Sequence, residues 1–505
     1  MLNWGSAWTV HYSTRDVAEP EDVRAWLRGA ADGVRAFLDE AGIPDGLPFL
    51  LSPRFEYDAE LNSYFHRPGL IDAPWNTNAN RARALAGFLT FLEQSRGGRS
   101  WRDAAEDDHL AYHQWRRRDE AGPRVAGTTW SLEVSHVNQF YGWAVGRKLA
   151  GAVPIPQRAR RPAPPGTSRA PLYGGETVPA TYAHDGGGER IEWLPPASYR
   201  GWRDTGLRGY GADGLPSRGF RGRWAARNAT FTDLMVRTGM RLSEQAHLTV
   251  TEVPVGAGQG GYQRFWLAGA ISKNASARWV YVPGSVARDL ASYAELDRAE
   301  VVADARDAGR YRRVRRPQVI DDPERPDLVA VPGARRRVHV KMLGPAERRR
   351  LLVETVGGLE PAMFWLGEDG WPLAVSTWKS MFATANARCA RQGLALSCHA
   401  HLLRHSFAVV TLEQLQRGHI AALAEMNPGQ RGHYTRVFGD PLDWVRRRLG
   451  HRSVLTTVIY LHALQELEME TRMALVPDQW EDPRDTPLAI VGDDSPPPAV
   501  AGSSL

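Results

Sequence analysis

The sequence predicts a mainly α-helical chain with a small β-sheet, divided into an N-terminal helical domain and a larger α+β domain. Three observations carry this. Apolar residues recur at helical spacing between Asn76 and Val145, a Pro/Gly/Arg-rich stretch interrupts the pattern over 151–190, and strand-like segments around 262–282 lie among further helices. With 505 residues, 43% of them hydrophobic and 24% charged, the chain sits in the globular range and exceeds one ordinary domain.

Residues 1–74 form an N-terminal extension to which no chemistry is assigned. Within it Glu21 to Ala41 reads as an amphipathic helix, with Val23, Trp26, Leu27, Val34 and Leu38 on one face and Gly42-Ile43-Pro44 as its stop. The helical domain is expected over 75–150. Leu85, Phe88, Leu89 and Leu92 mark its first helix, behind Arg81 and Arg83. A second helix is expected over Asp107 to Arg118, and a third over Thr128 to Val145 with Leu132, Val134, Val137, Tyr141 and Val145 inward. The stretch 151–190 then reads as an extended basic linker, because Pro154, Pro156, Pro162, Pro164 and Pro165 leave no room for a helix.

The α+β domain is expected over 191–480. Asn228 to Thr238 is a helix stopped at Gly239, and a second helical turn begins at Leu242. Aromatic and β-branched residues over Tyr262 to Gly269 and Arg278 to Val282 predict a β-hairpin around Lys273-Asn274. Arginine-dense stretches flank a polar segment near 300–345 that reads as an insertion. Helices resume at Ser376 to Gln392, His401 to Gln416, Leu442 to Leu449 and Val454 to Leu475; residues 418–441 read as an inserted loop and 481–505 as a disordered tail.

Cys389 and Cys398 are the only cysteines, which excludes a disulfide scaffold and a cysteine-based zinc site. No apolar run approaches the length of a membrane span, and Met1 to Ser13 lacks the layout of a signal peptide, so a cytoplasmic protein with no membrane partner is expected. The formal charge of +6 is compatible with a nucleic-acid partner and with many other soluble proteins.

His401 and Arg404 stand three apart on a predicted helix, hence on one face, where both reach a single small anion. Arg241 follows a helix stop and projects from a tight turn, with Glu244 placed one turn on to orient it; an ordinary surface ion pair has the same spacing. Near the end of the chain, His451 precedes Tyr460 on the next helix.

Arg241, Lys273, His401, Arg404, His451 and Tyr460 occur in that order. They lie in Thr238-Gly239-Met240-Arg241-Leu242-Ser243-Glu244, in the hairpin around Lys273, in Cys398-His399-Ala400-His401-Leu402-Leu403-Arg404-His405-Ser406-Phe407-Ala408, and in Leu449-Gly450-His451 through Tyr460-Leu461-His462. In this the chain resembles the tyrosine recombinase (phage integrase) family over about 228–475. The likeness extends more loosely over 76–150 to that family's helical core DNA-binding (SAM-like) domain.

The resemblance implies a site-specific DNA recombinase that breaks and rejoins duplexes through a 3′-phosphotyrosyl ester, for integration or excision of a mobile element. It assigns Tyr460 as nucleophile, Arg241 and Arg404 as the phosphate clamp, and His401 as a group that helps take the phenolic proton. His451 would donate to the phosphate, Lys273 would protonate the departing 5′-hydroxyl, and Glu244 would orient Arg241 from behind. It implies no cofactor and no metal. The partners it implies are double-stranded DNA attachment sites, a homotetramer on two such sites and, left open, a directionality or bending factor; bound to DNA the protein would lie on the nucleoid. A type IB topoisomerase-like relaxing enzyme and a non-catalytic DNA-binding protein of the same fold are the alternatives. Three features depart from the family pattern: a long stretch between Arg404 and His451, the absence of glycine flanks at Ser272-Lys273-Asn274, and an N-terminal segment that matches no arm-site module.

Overall fold

The computed structural model describes residues 7–14, 33, 36–159, 177–183, 191–211, 213–255, 261–314, 317–331, 337–426, 440–454 and 456–464. The chain divides into two compact units, Met1–Glu189 and Arg190–Leu505.

The first unit is built on three helices: α1 (Trp75–Ser95), α2 (Glu106–Arg117) and α3 (Gly127–Gly146). In α1 the residues read as its apolar stripe, Leu85, Phe88, Leu89 and Leu92, are all buried. In α3 the inward stripe is Trp130, Val134, Val137, Tyr141 and Ala144. Leu132 was expected inward and is 49% exposed, because it falls off the line that Trp130, Val134 and Val137 define at helical pitch.

The described part of the N-terminal extension shares this core. Leu38, Leu50, Leu61, Tyr64 and Phe65 are buried with the helices, and β1 (Thr9–Tyr12) pairs antiparallel with β2 (Pro48–Leu51). Of the expected helix over Glu21 to Ala41, residues 36–40 are helical and most of the remainder lies outside the described residues. Described parts of the expected linker are ordered: β3 (Gln157–Ala159) pairs with β4 (Thr177–Pro179), and Trp130 Nε1 donates to the Thr181 carbonyl. Ile155 and Trp130 supply the apolar burial that a reading centred on the prolines did not weigh.

The second unit begins with α4 (Pro196–Gly206), α5 (Ala225–Thr238) and the short α6 (Leu242–Ala246). The expected hairpin is present, as β5 (Tyr262–Leu267) antiparallel to β6 (Arg278–Pro283). α7 (Gly284–Tyr293) follows, and after a wide turn of helix comes α8 (Ala299–Asp307). The segment near 300–345, read as a polar insertion, carries apolar residues of its own. Val301, Val302, Ala305 and Tyr311 are buried, and β7 (Gln318–Ile320), β8 (Leu328–Val329) and β9 (Val338–His339) enclose a small core of Ile320, Val329, Val340 and Leu343. β7 pairs in parallel with β10 (Leu351–Thr355), which pairs antiparallel with β11 (Gly358–Pro361).

The unit's main core lies between α5, the hairpin and α9 (Val375–Arg391), where Phe231 stacks on Trp378 at 3.6 Å beside Trp365. α10 runs over Ala400–Ala424, past the expected end at Gln416. α11 (Pro441–Leu449) and α12 (456–464) close the fold against it, burying Leu412, Val445, Leu449 and Tyr460. Most of the stretch read as an inserted loop, the continuation of α12 towards Leu475 and the tail lie outside the described residues.

Two glycines make this closure possible. Gly239 ends α5 at φ +66°, where a Cβ would sit 2.4 Å from Phe407 on α10. Gly450 ends α11 at φ +66°, where a Cβ would sit 2.5 Å from Ser276 Oγ. Both positions demand the left-handed conformation and a close approach at once, which selects glycine.

Candidate active site

α10 carries His401, Arg404 and His405 on one face, at spacings of three and four. Arg404 is 2% exposed and turns inward. Its Nη1 donates to the Gly239 carbonyl and its Nη2 to the Leu449 carbonyl, each at 2.5 Å. These carbonyls belong to the C-terminal ends of α5 and α11, where the helix dipoles are negative, so two helix ends hold one guanidinium. Burial, with Arg241 nearby, pushes its pKa down to about 9 against the pull of Glu244; the group stays charged at neutral pH.

Arg241 sits at the N-cap of α6. Its backbone N–H and its Nη1 both donate to Glu244, each at 2.9 Å. Glu244 is fully buried and bonded from the other side by Arg278, at 2.6 Å and 3.3 Å. Burial alone would raise this carboxyl's pKa; Arg278 and then Arg241 overcome that and hold it below the ordinary value. The expectation that Glu244 orients Arg241 thus has its geometry, with a second arginine added.

Arg278 was not foreseen. It donates from Nε to the Arg448 carbonyl at 2.8 Å, which ties the start of β6 to the end of α11. Its sequence signal is an arginine on the inward face of a strand whose other inward residues are Val280 and Val282.

Tyr460 projects from α12 and is 1% exposed. Its hydroxyl lies 3.0 Å from His405 Nδ1. Burial raises its pKa, while Arg404 and Arg241 pull the other way without cancelling the effect. The phenol is therefore protonated at neutral pH. His451 follows Gly450, its Nδ1 3.0 Å from Thr457 Oγ1, and its ring lies nearly parallel to that of Tyr460 with centroids 6.4 Å apart. Burial and the surrounding cations depress the His405 imidazole to about 4 and that of His451 to about 3, so both are neutral near pH 7.

His401 is exposed, and its ring centroid stands 4.4 Å from that of His405. The hydroxyl of Tyr460 is met by His405, the next histidine along the same helical face. Lys273 lies on a short turn between the hairpin strands, exposed at the rim, where its charge helps depress the pKa of His401 after burial, Arg404, His399 and Arg241. The turn is fixed to the loop carrying His451: Ser276 Oγ donates to the Gly450 carbonyl at 2.9 Å and Arg452 Nη2 to the Asn274 carbonyl at 2.7 Å.

Four segments distant in sequence thus bring Arg241, Arg404, His401, His405, His451, Tyr460 and, at the edge, Lys273 to one region of the second unit. It is a cationic cradle around a buried phenol. Among the described residues no cluster of three histidine, cysteine or carboxylate side chains is placed to hold a metal, and no helix is long and apolar enough to cross a membrane.

No protein-family model and no curated protein sequence matches the chain. Solved structures do. The XerH site-specific recombinase bound to a palindromic difH substrate aligns at 13% identity with a TM-score of 0.44, over 88% of this chain and 89% of that one. A Tn1549 transposon integrase fragment in complex with a circular intermediate DNA aligns at 13% identity and a TM-score of 0.43, over 82% and 98%. A lambda integrase dimer bound to a core site aligns at 12% identity and a TM-score of 0.39, over 80% and 94%. At these values the likeness carries no argument about activity, which rests on the side-chain geometry above.

Proposed function

We propose that this protein is a site-specific DNA strand transferase of the tyrosine recombinase type, which cuts and rejoins duplex DNA through Tyr460. The observation that carries the reading is the buried Tyr460 hydroxyl, 3.0 Å from a neutral His405 imidazole. The phenol also lies within the electrostatic reach of Arg404 and Arg241.

A free phenol has a pKa of about 10, so only ~0.1% is ionised near neutral pH and attack needs help. In the proposed step the Tyr460 oxygen attacks the scissile phosphorus as its proton passes to His405 Nδ1. The bond from phosphorus to the 5′-oxygen breaks, and Lys273 supplies the proton to that oxygen. Arg241 holds the non-bridging oxygens, and Arg404 contributes fixed positive charge from within. Charge that develops in the transition state meets cations already set in place by Glu244 and by the two helix ends. His451 completes the ring of donors around the phosphate. The product is a 3′-phosphotyrosyl ester, which conserves the energy of the broken bond, so rejoining to another 5′-hydroxyl needs no nucleotide hydrolysis.

On this reading the partners are duplex attachment sites, bound largely through phosphate contacts, and the assembly is a tetramer on two sites serving integration or excision of a mobile element. A directionality or bending factor would act on that assembly. A nicked duplex carrying the attachment site should trap a covalent protein–DNA adduct with the wild-type chain. An equal yield of adduct from Tyr460→Phe would remove Tyr460 from the mechanism.

A further inference from the structure

The outer face of the β5–β6 hairpin carries a set of side chains that the strand-transfer step does not use. Trp266 and Trp279 face each other across the two strands, in an edge-to-face pair with centroids 5.2 Å apart, and each is 44% exposed. On the same face Arg264 lies over the Trp279 ring at 4.6 Å. From α11, Arg448 stacks over the rings of Tyr281, at 3.3 Å, and Trp444, at 4.3 Å. These rings and the arginines of α11 border a cleft of about 540 Å³ that extends to Arg278 and His451.

Exposed tryptophans on a strand face are costly to leave in water, and the cleft lining contains no carboxylate. Arg446 and Arg447 share the single carboxylate of Asp443, which leaves the arginines in excess. The Nη1 of Arg448 is buried without a hydrogen-bond partner among the described residues. Flat aromatic faces interleaved with guanidinium groups suit a ligand that offers π-faces and anionic oxygens in alternation. A protein apolar surface would satisfy the rings and strand the arginines, whereas duplex DNA keeps its bases stacked out of reach.

We infer that this cleft binds a single strand of DNA through its unpaired bases, stacked on Trp266 and Trp279, with its phosphates on the α11 arginines. The inference rests on the proposed DNA chemistry: the cleft reaches His451, so an unpaired strand held there would begin near the 5′-hydroxyl released when Tyr460 attacks. Its function would be to hold the strand freed by cleavage until it pairs again.

The test compares two probes on the full chain at one salt concentration: a short oligothymidylate and an abasic deoxyribose-phosphate oligomer of the same length. The oligothymidylate should quench tryptophan fluorescence and bind roughly tenfold more tightly than the abasic oligomer, and the difference should vanish in Trp266→Ala/Trp279→Ala. Equal affinity of the wild-type chain for the two probes would overturn the inference, and that comparison needs no variant to fold. So would an unchanged preference in the double variant, or competition by oligoglutamate as strong as that by oligothymidylate. Loss of self-association in the double variant with the preference intact would assign the face to a second copy instead. The readout is binding without cleavage, so it can fail while Tyr460 still forms its adduct, and can succeed where no adduct forms.

Discussion

His405 Nδ1 stands 3.0 Å from the Tyr460 hydroxyl, while His401, one turn earlier on the same helix, is exposed and meets the His405 ring edge-to-face. In the proposed chemistry the inner histidine receives the phenolic proton and the outer one passes it to solvent. His405→Ala should therefore slow adduct formation by about 10²- to 10⁴-fold, the usual worth of a positioned base. His401→Ala should cost less. Single-turnover cleavage of a nicked site measures both.

The pH profile follows from the same contact. Burial holds the His405 imidazole near 4, well below the ordinary 6.5, so its acceptor form persists through the neutral range. The rate of adduct formation should show no acid limb near pH 6.5 and should fall only as the pH approaches about 4. An acid limb lying above about pH 4 that disappears in His401→Ala would give the proton to His401.

Acid should also destabilise the fold before it protonates ordinary carboxylates. His405 and His136 are held near 4, and His451 near 3, by burial and neighbouring positive charge. His109 is likewise held near 4. Each is depressed when folded, so between about pH 6.5 and pH 4 the unfolded chain binds more protons. The stability these groups confer is complete above 6.5 and is lost as the pH falls through that window. Denaturant midpoints at a series of pH values would show it, and a stability flat from pH 7 to pH 5 would contradict it.

Glu244 is the shared anion of two arginines, fully buried, with Arg278 6% exposed. Glu244→Ala leaves the Arg278 guanidinium buried without its counter-charge. That change should cost about 3–5 kcal/mol of stability. The double variant Glu244→Leu/Arg278→Met should recover much of that stability, yet it should not recover cleavage, because Arg241 has lost its anchor. Chemical denaturation and adduct yield separate the two effects.

Arg404→Lys replaces a planar fork that spans two helix ends with a point charge that cannot bond both carbonyls in the same way. Adduct formation should fall by on the order of a hundredfold despite the retained charge.

Much of this site was legible in the sequence, and the remainder was hidden for identifiable reasons. Gly239 announced a helix end, and the aromatic and β-branched residues of Tyr262 to Gly269 and Arg278 to Val282 announced the hairpin. His405 was in plain view beside Arg404, but His401 and His405 occupy the same helical face, and only the position of Tyr460 decides between them. Arg278 was hidden because a strand arginine is usually solvated, and its partner Glu244 lies far away in sequence. The small core around Ile320, Val329 and Val340 escaped because its strands are two or three residues long, too short for any period to register among the arginines. The described part of residues 1–74 joins the helical core through single apolar residues on short elements, which likewise leave no periodic trace.

The most direct test of the account is the chemical identity of the covalent bond. The wild-type chain would be incubated with duplex fragments from the genome that encodes it, then denatured and digested, and the nucleotide-bearing peptide sequenced by mass spectrometry. The expected result is a single modified peptide with a 3′-phosphate ester on Tyr460. An adduct on any other residue, or one that persists undiminished in Tyr460→Phe, would contradict it.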